Sequence, residues 1–265
     1  MKFNLITSAN RSYYPFLEIC LTSARANCAE LDQIFVVDCG LDDFRSTVEN
    51  WATVIDTDIQ DEYSGVHSAG WRRATRSKTI GLQKLLADYQ SNQPLILIDN
   101  DTCIIKDISQ AINLEFSLQA TVMSDGGHTR RDGIFIREIA CFVCMNHIDH
   151  AKKFVDQWST NIAYLEDNNI DTPHETPAFN FTLRDFEKII PIGSLEENTV
   201  CADLKHFDTT LAVHFKSNGS TRLDPVANFT QRVNSVKNFT DQTWNYRKYL
   251  DTDRYERWQV QYLEK

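Results

Sequence analysis

The 265-residue sequence contains no apolar run approaching the ~20 residues that a membrane-spanning helix needs. No leader is expected at its start either. Met1-Lys2-Phe3-Asn4-Leu5-Ile6-Thr7 reads as a strand that begins at once, and the expected compartment is the cytoplasm. Basic residues are scarce: 27 Lys and Arg against 37 Asp and Glu leave a net charge of −10. A nucleic-acid binder neutralises phosphates with a basic surface, so that class is excluded, whereas a local basic pocket for a diphosphate is not. A disulfide framework is not expected either, because the 7 cysteines are odd in number and irregularly spaced. Cys20, Cys103, Cys141 and Cys201 lie among apolar neighbours and read as free thiols acting as small hydrophobes in a reducing compartment. Cys141-Phe142-Val143-Cys144 has a metal-type spacing, but in a strand the two-residue period sends its sulfurs to opposite faces. Internal repeats and low-complexity linkers are absent as well.

What is present describes a globular chain: 42% hydrophobic and 24% charged residues, enough to bury a substantial core. Short apolar runs alternate with amphipathic segments. Strands are expected at residues 3–7, 33–38, 52–56 and 94–98, with helices at 14–28, 41–51 and 77–89 between them. That alternation predicts an α/β fold, a Rossmann-type, mainly parallel sheet covered by helices, with ligands beyond the carboxyl ends of the strands. Asp38 and Asp99 both fall at such ends. In the second half, strands are expected at 119–124, 139–145 and 210–215, and helices at 147–165 and 178–186. The chain divides into one domain over residues 1–240, with a nucleotide-binding half (1–106) and an acceptor- and metal-completing half (107–240). A helical, aromatic-rich tail (241–265) follows.

Asp99-Asn100-Asp101 is the most informative element. Two carboxylates one residue apart, directly after the apolar run Leu95-Ile96-Leu97-Ile98, face out at a ligand-binding edge. Carboxylate oxygens are the hard ligands that Mn²⁺ or Mg²⁺ prefers, and these ions bridge to substrate phosphates. The alternative is a polar turn closing a strand. His214 ends a late apolar strand and supplies a nitrogen ligand, and Lys216 places an ammonium near phosphate oxygens. Asp101 is expected to be exposed in the cleft.

These residues together resemble the GT-A-type glycosyltransferases, especially the retaining family of glycogenin and the bacterial lipopolysaccharide galactosyltransferases. The resemblance covers roughly residues 3–216, in the right order. It implies a nucleotide-sugar donor, on family likeness a UDP-hexose, a glycan or other hydroxyl acceptor, and a divalent metal. By that likeness Asp99 touches donor and metal, and Asp101 and His214 ligate the metal. Lys78 is the basic residue directed at the donor, while Ala9, Asn10 and Asn100 border the nucleotide. Glu175 stands where the family carries its acidic residue beside the donor sugar, and Asn180 where it carries a helix asparagine. Taken without the family, Glu175 reads equally well as an acid complementing a helix N-terminus. Two departures stand out. Thr176 replaces the amide or second acid usual there, and the late motif runs His214-Phe215-Lys216-Ser217-Asn218-Gly219-Ser220, with its lysine displaced. Retaining or inverting stereochemistry stays open. An inverting reaction would need a base, a role open to Glu175.

Other classes carry distinct signatures. A nucleotidyltransferase holds a triphosphate with a glycine-rich basic loop after its first strand, and Ser8-Ala9-Asn10-Arg11-Ser12 has no glycine. A hydrolase on a similar sheet and a non-catalytic carbohydrate-binding domain stay open; the latter has no use for converging acids and a histidine. Arg130 and Arg131, in a glycine-containing loop, are candidates for added positive charge. The tail interleaves Trp244, Tyr246, Tyr249, Tyr255, Trp258 and Tyr262 with Arg247, Lys248, Arg254 and Arg257. It suits either packing across the domain or peripheral contact with an acidic membrane at the inner face. The acids Asp241, Asp251, Asp253, Glu256 and Glu264 favour packing.

Overall fold

The computed structural model describes residues 1–59, 69–130, 133–168, 175–201 and 209–214. Arg131, Lys216 and the whole segment 241–265, with its expected helix and membrane contact, lie outside these residues.

The β4 sequence Leu95–Ile98 shows why the sheet is central. Four apolar side chains in succession must be covered on both faces, because neighbouring strand residues point opposite ways. Ile96 and Ile98 enter one core layer, and Leu95 and Leu97 the other. β4 lies mid-sheet, beside β1 (Phe3–Ala9), which pairs with β2 (Leu31–Asp38), itself next to β3 (Thr53–Asp56); all these pairings are parallel. Across β4, β9 (Glu138–Met145) runs antiparallel to it and to β6 (Leu118–Val122), and β10 (Ile192–Glu196) closes the edge parallel to β6. The seven-stranded order is β10-β6-β9-β4-β1-β2-β3. The expected mainly parallel, helix-covered α/β sheet is therefore present.

Helices cover each face as their apolar stripes require. α1 (Tyr14–Asn27) buries Leu17, Cys20, Leu21 and Ala24 in one layer, which also takes Val48 from the short α2 (Arg45–Val48). The other layer takes Leu82 and Leu86 from α3 (Ala69–Asp88) and Phe154 and Trp158 from α4 (Ile148–Asp167). Phe179 and Leu183 of α5 (Glu175–Phe186) complete it. Gly81 lets α3 approach the sheet: a Cβ there would stand 2.2 Å from a Val37 methyl. A two-stranded ribbon of β5 (Thr102–Ile104) and β11 (Ala212–His214), a small β7–β8 hairpin (His128–Thr129 and Phe135–Ile136) and the short α6 (Glu197–Val200) complete the elements. No helix among the described residues is long and apolar enough to cross a membrane.

The structure corrects four expectations. The helix expected over 41–51 is a 3₁₀ turn, Asp42–Phe44, followed by the four residues of α2. Asp38 Oδ1 accepts from Gly40 N and Leu41 N, both at 2.8 Å, and Asp42 has φ 49°, so the backbone before the turn is committed to a loop. α5 begins at Glu175 rather than Ala178. Cys141 and Cys201 are joined in a disulfide, whereas Cys20, Cys28, Cys39, Cys103 and Cys144 are free and buried. Cys141 and Cys144 also share one core layer, because the β6–β9 register breaks between Ala120 and Thr121 and strict alternation is lost.

Candidate active site

β4 ends at the carboxyl edge of the sheet, and the backbone there is fastened before any side chain is considered. Asp99 N donates to Cys141 O at 3.0 Å, and Asn100 Nδ2 donates to Ser8 O at 2.6 Å, tying the turn to β9 and β1. The chain then enters β5, which lies on α1. Ile104 N donates to Ser23 Oγ at 3.0 Å, and Asn27 Nδ2 donates to Ile104 O at 2.8 Å. β11 pairs antiparallel with β5 and sets His214 opposite Thr102. Register alone therefore delivers the imidazole to Asp101. His214 Nε2 lies 3.0 Å from Asp101 Oδ1 and 3.3 Å from Asp99 Oδ2. One ligand atom from each of the three residues lies within 4.8 Å of the others.

Asp101 is 4% exposed and His214 8%, so the expected open position of Asp101 is corrected: the carboxylate is buried and directed at the histidine. Two carboxylates and one imidazole form a donor set able to hold a divalent metal ion. Burial pushes the nearby Cys20 thiol well above its ordinary range, and the charges of Asp101 and Asp99 add to that shift, leaving a neutral thiol.

Lys78, in α3, reaches into the same cluster. Its ammonium contacts Asp99 Oδ1 and lies 3.3 Å from Glu175 Oε1. Burial alone would lower its pKa, but Asp99 and Glu175 outweigh that and hold it above the usual lysine range. A raised lysine pKa contributes stability in full below the unfolded-state value of about 10.4, and the contribution is lost only as pH rises through the folded value. The Lys78 ammonium thus stays charged through neutral pH. Lys78→Met leaves two carboxylates without their cation, and in metal-free protein it should cost about 3–5 kcal/mol of stability. Thermal melts check this. Added Mn²⁺ should recover part of the loss by neutralising Asp99, and an unchanged Tm would exclude an ionised triad.

No family model and no curated protein matches the chain by sequence. By structure it is similar to the galactosyltransferase LgtC in complex with donor and acceptor sugar analogues, at TM-score 0.54 and 12% identity, covering 94% of this chain and 100% of that one. An active-site mutant of LgtC gives TM-score 0.54 and 12% identity over 88% of this chain and 96% of that one. The glycosyltransferase GlyE of Streptococcus pneumoniae TIGR4 gives 0.53 and 14% over 89% of this chain and 64% of the GlyE chain. The fold is that of the GT-A-type glycosyltransferases. At such identities the likeness is one of architecture, and each residue's role rests on the geometry of this chain.

Within that fold the other expected residues take definite places. Asn10 is buried, and its side chain accepts from Tyr13 N at 3.1 Å, shaping the turn after β1 that Ala9 ends. The Asn100 side chain fastens this turn to β1. Asp38 is held by its own loop and by Arg45 at 3.2 Å, so it serves the β2 end rather than the Asp99 cluster. Arg130 closes the β7–β8 hairpin, with Gly133 N donating to its carbonyl at 3.0 Å.

Three residues with parts here were not singled out from sequence for those parts. Trp158 Nε1 donates to Glu175 O at 2.8 Å, holding the first residue of α5. Asn180, fully buried, accepts from Arg137 N and Glu138 N and donates to Glu138 O and Thr176 O, bolting α5 to the start of β9. Cys201 Sγ stands 3.1 Å from His214 Nδ1. A signal existed only for Asn180, a polar residue in an otherwise apolar helix face; the others read as core residues.

Proposed function

We propose that this chain is a metal-dependent glycosyltransferase that moves a hexose from a nucleotide-diphosphate sugar, a UDP-sugar first, to a glycan or other hydroxyl acceptor. The observation that carries the reading is the meeting of Asp101 and His214, 113 residues apart, at the carboxyl edge of a GT-A-type sheet. Asp99, Asp101 and His214 would hold Mn²⁺ or Mg²⁺. When bound, that ion acts as a Lewis acid that stabilises the charge developing on the departing nucleotide diphosphate.

The chain's own residues do the rest. Lys78 pairs with Asp99 and Glu175 in a confined site, so these side chains are held in place before donor binds. Glu175 is the residue we assign to catalysis: its carboxylate, held at the start of α5, opposes the positive charge that the sugar carbon gains as diphosphate leaves. Ala9, Asn10 and Asn100 border the nucleotide, and Lys216 adds charge toward its phosphates. The same proposal divides the chain into halves 1–106 and 107–240 with a tail at 241–265, for which packing across the domain is favoured over contact with a membrane.

A thermal-shift panel tests it. UDP-hexoses should raise Tm only in the presence of Mn²⁺ or Mg²⁺, the stabilisation free energy being RT ln(1 + [L]/Kd), about 2.7 kcal/mol at a hundredfold excess over Kd. Stabilisation by sugars that ignores metal would point to a binding domain, and a response to nucleoside triphosphates alone to nucleotidyl transfer.

A further inference from the structure

The Cys141–Cys201 disulfide touches both halves of the acidic cluster. Cys141 lies in β9, and its carbonyl is the acceptor for Asp99 N at 3.0 Å. Cys201 follows α6, which is bonded to the approach to β11: Leu211 N donates to Thr199 O at 2.7 Å, and Thr210 Oγ1 to Asn198 O at 2.9 Å. The cross-link therefore joins the strand that seats Asp99 to the segment that delivers His214. Cys201 Sγ also meets the imidazole itself, at 3.1 Å from Nδ1. Cys141, Cys201 and His214 are all buried.

A disulfide sulfur has no hydrogen to donate, so in this contact Nδ1–H donates and sulfur accepts. With Nδ1 so occupied, the other nitrogen, Nε2, is the one that can offer a lone pair to a metal, and it is the atom facing Asp101 and Asp99. We propose that the Cys141–Cys201 disulfide is a positioning clamp for the metal site, so that its reduction weakens divalent-cation binding at Asp99, Asp101 and His214. The inference rests on the reading of those three residues as metal ligands.

Reduction breaks the S–S bond and adds two electrons and two protons. A water-soluble trialkylphosphine supplies the electrons and leaves as its oxide with the oxygen of a water molecule, whose protons go to the two thiols. The Cys201 S–H can then donate as well as accept, so His214 Nδ1 is no longer confined to one role. β9 is at the same time uncoupled from the α6–β11 segment.

The test measures Mn²⁺ binding by electron paramagnetic resonance on the full chain, metal-free at the start, in oxidised form and after phosphine reduction and anaerobic desalting. Thiols are counted in each form. Reduction should expose two further thiols and weaken the Mn²⁺ Kd about tenfold, the lower end of what losing a partner of a metal ligand costs. Cys141→Ser and Cys201→Val should show the weakened Kd without reductant and ignore phosphine. If either fails to fold by thermal melt, the two wild-type forms decide alone. An equal Kd in both forms, with Asp101→Asn still abolishing binding, overturns the clamp and leaves the metal site standing. Failure of oxidised glutathione to remove two thiols from the reduced chain also overturns the clamp. A chain that binds no Mn²⁺ in either form overturns both readings.

Discussion

Asp101→Asn is expected to abolish metal-dependent transfer, lowering turnover about 10³-fold, the equivalent of roughly 4 kcal/mol of lost charge stabilisation. The substitution keeps volume, and the asparagine amide can donate to the lone pair of His214 Nε2, which matters because Asp101 is buried and truncation to alanine would open a gap beside the ring. His214 keeps Asp99 Oδ2 as a neighbour at 3.3 Å, so the fold should survive. His214→Ala should act in the same direction but less completely, by about one to two orders of magnitude, because water can take one coordination position. Initial rates at limiting and saturating Mn²⁺ separate the cases: a weakened site is partly rescued by excess metal, a deleted one is not. Wild-type turnover in both variants at limiting Mn²⁺ would remove the metal assignment.

Glu175→Gln should lower transfer about 10²- to 10³-fold while UDP affinity barely changes. The amide oxygen of glutamine can still accept from Lys78, and the Glu175 carbonyl that Trp158 holds at 2.8 Å is backbone, untouched by the change. Only the charge of the carboxylate is removed. UDP binding by calorimetry and transfer rates on the same preparation supply the comparison. Equal losses in both would show instead that this carboxylate holds the start of α5 in place, and catalysis would need another residue.

Much of the framework was legible because it depends on neighbours in sequence. Leu95-Ile96-Leu97-Ile98 could only be a strand covered on both faces. The spacing of Ile80, Leu82, Leu85, Leu86 and Tyr89 could only be one side of a helix, and two carboxylates directly after such a strand must lie at the sheet's carboxyl edge. Local pattern failed where a loop overrode it. Residues 41–51 have helical spacing, yet Asp38 holds the Gly40 and Leu41 amides and the helix shrinks to Arg45–Val48.

The site itself is built from pairings that no local pattern encodes. Lys78 and Glu175 are 97 residues apart, and their contact depends on how α3 and α5 pack on one face of the sheet. His214 was recognisable as a strand-ending histidine, but its meeting with Asp101 required β11 to pair antiparallel with β5 in the one register that sets it opposite Thr102. The burial of Asp101 follows from the same pairing. Cys141 and Cys201 both look like core thiols in sequence, and among 7 cysteines nothing local says which two meet. The placement of the residue that ends α6 against β9 decided that. Sequence periodicity reports which face of an element is apolar. Which elements then lie against one another is set by closing long loops around a shared core, and that is where the charges of this site are brought together.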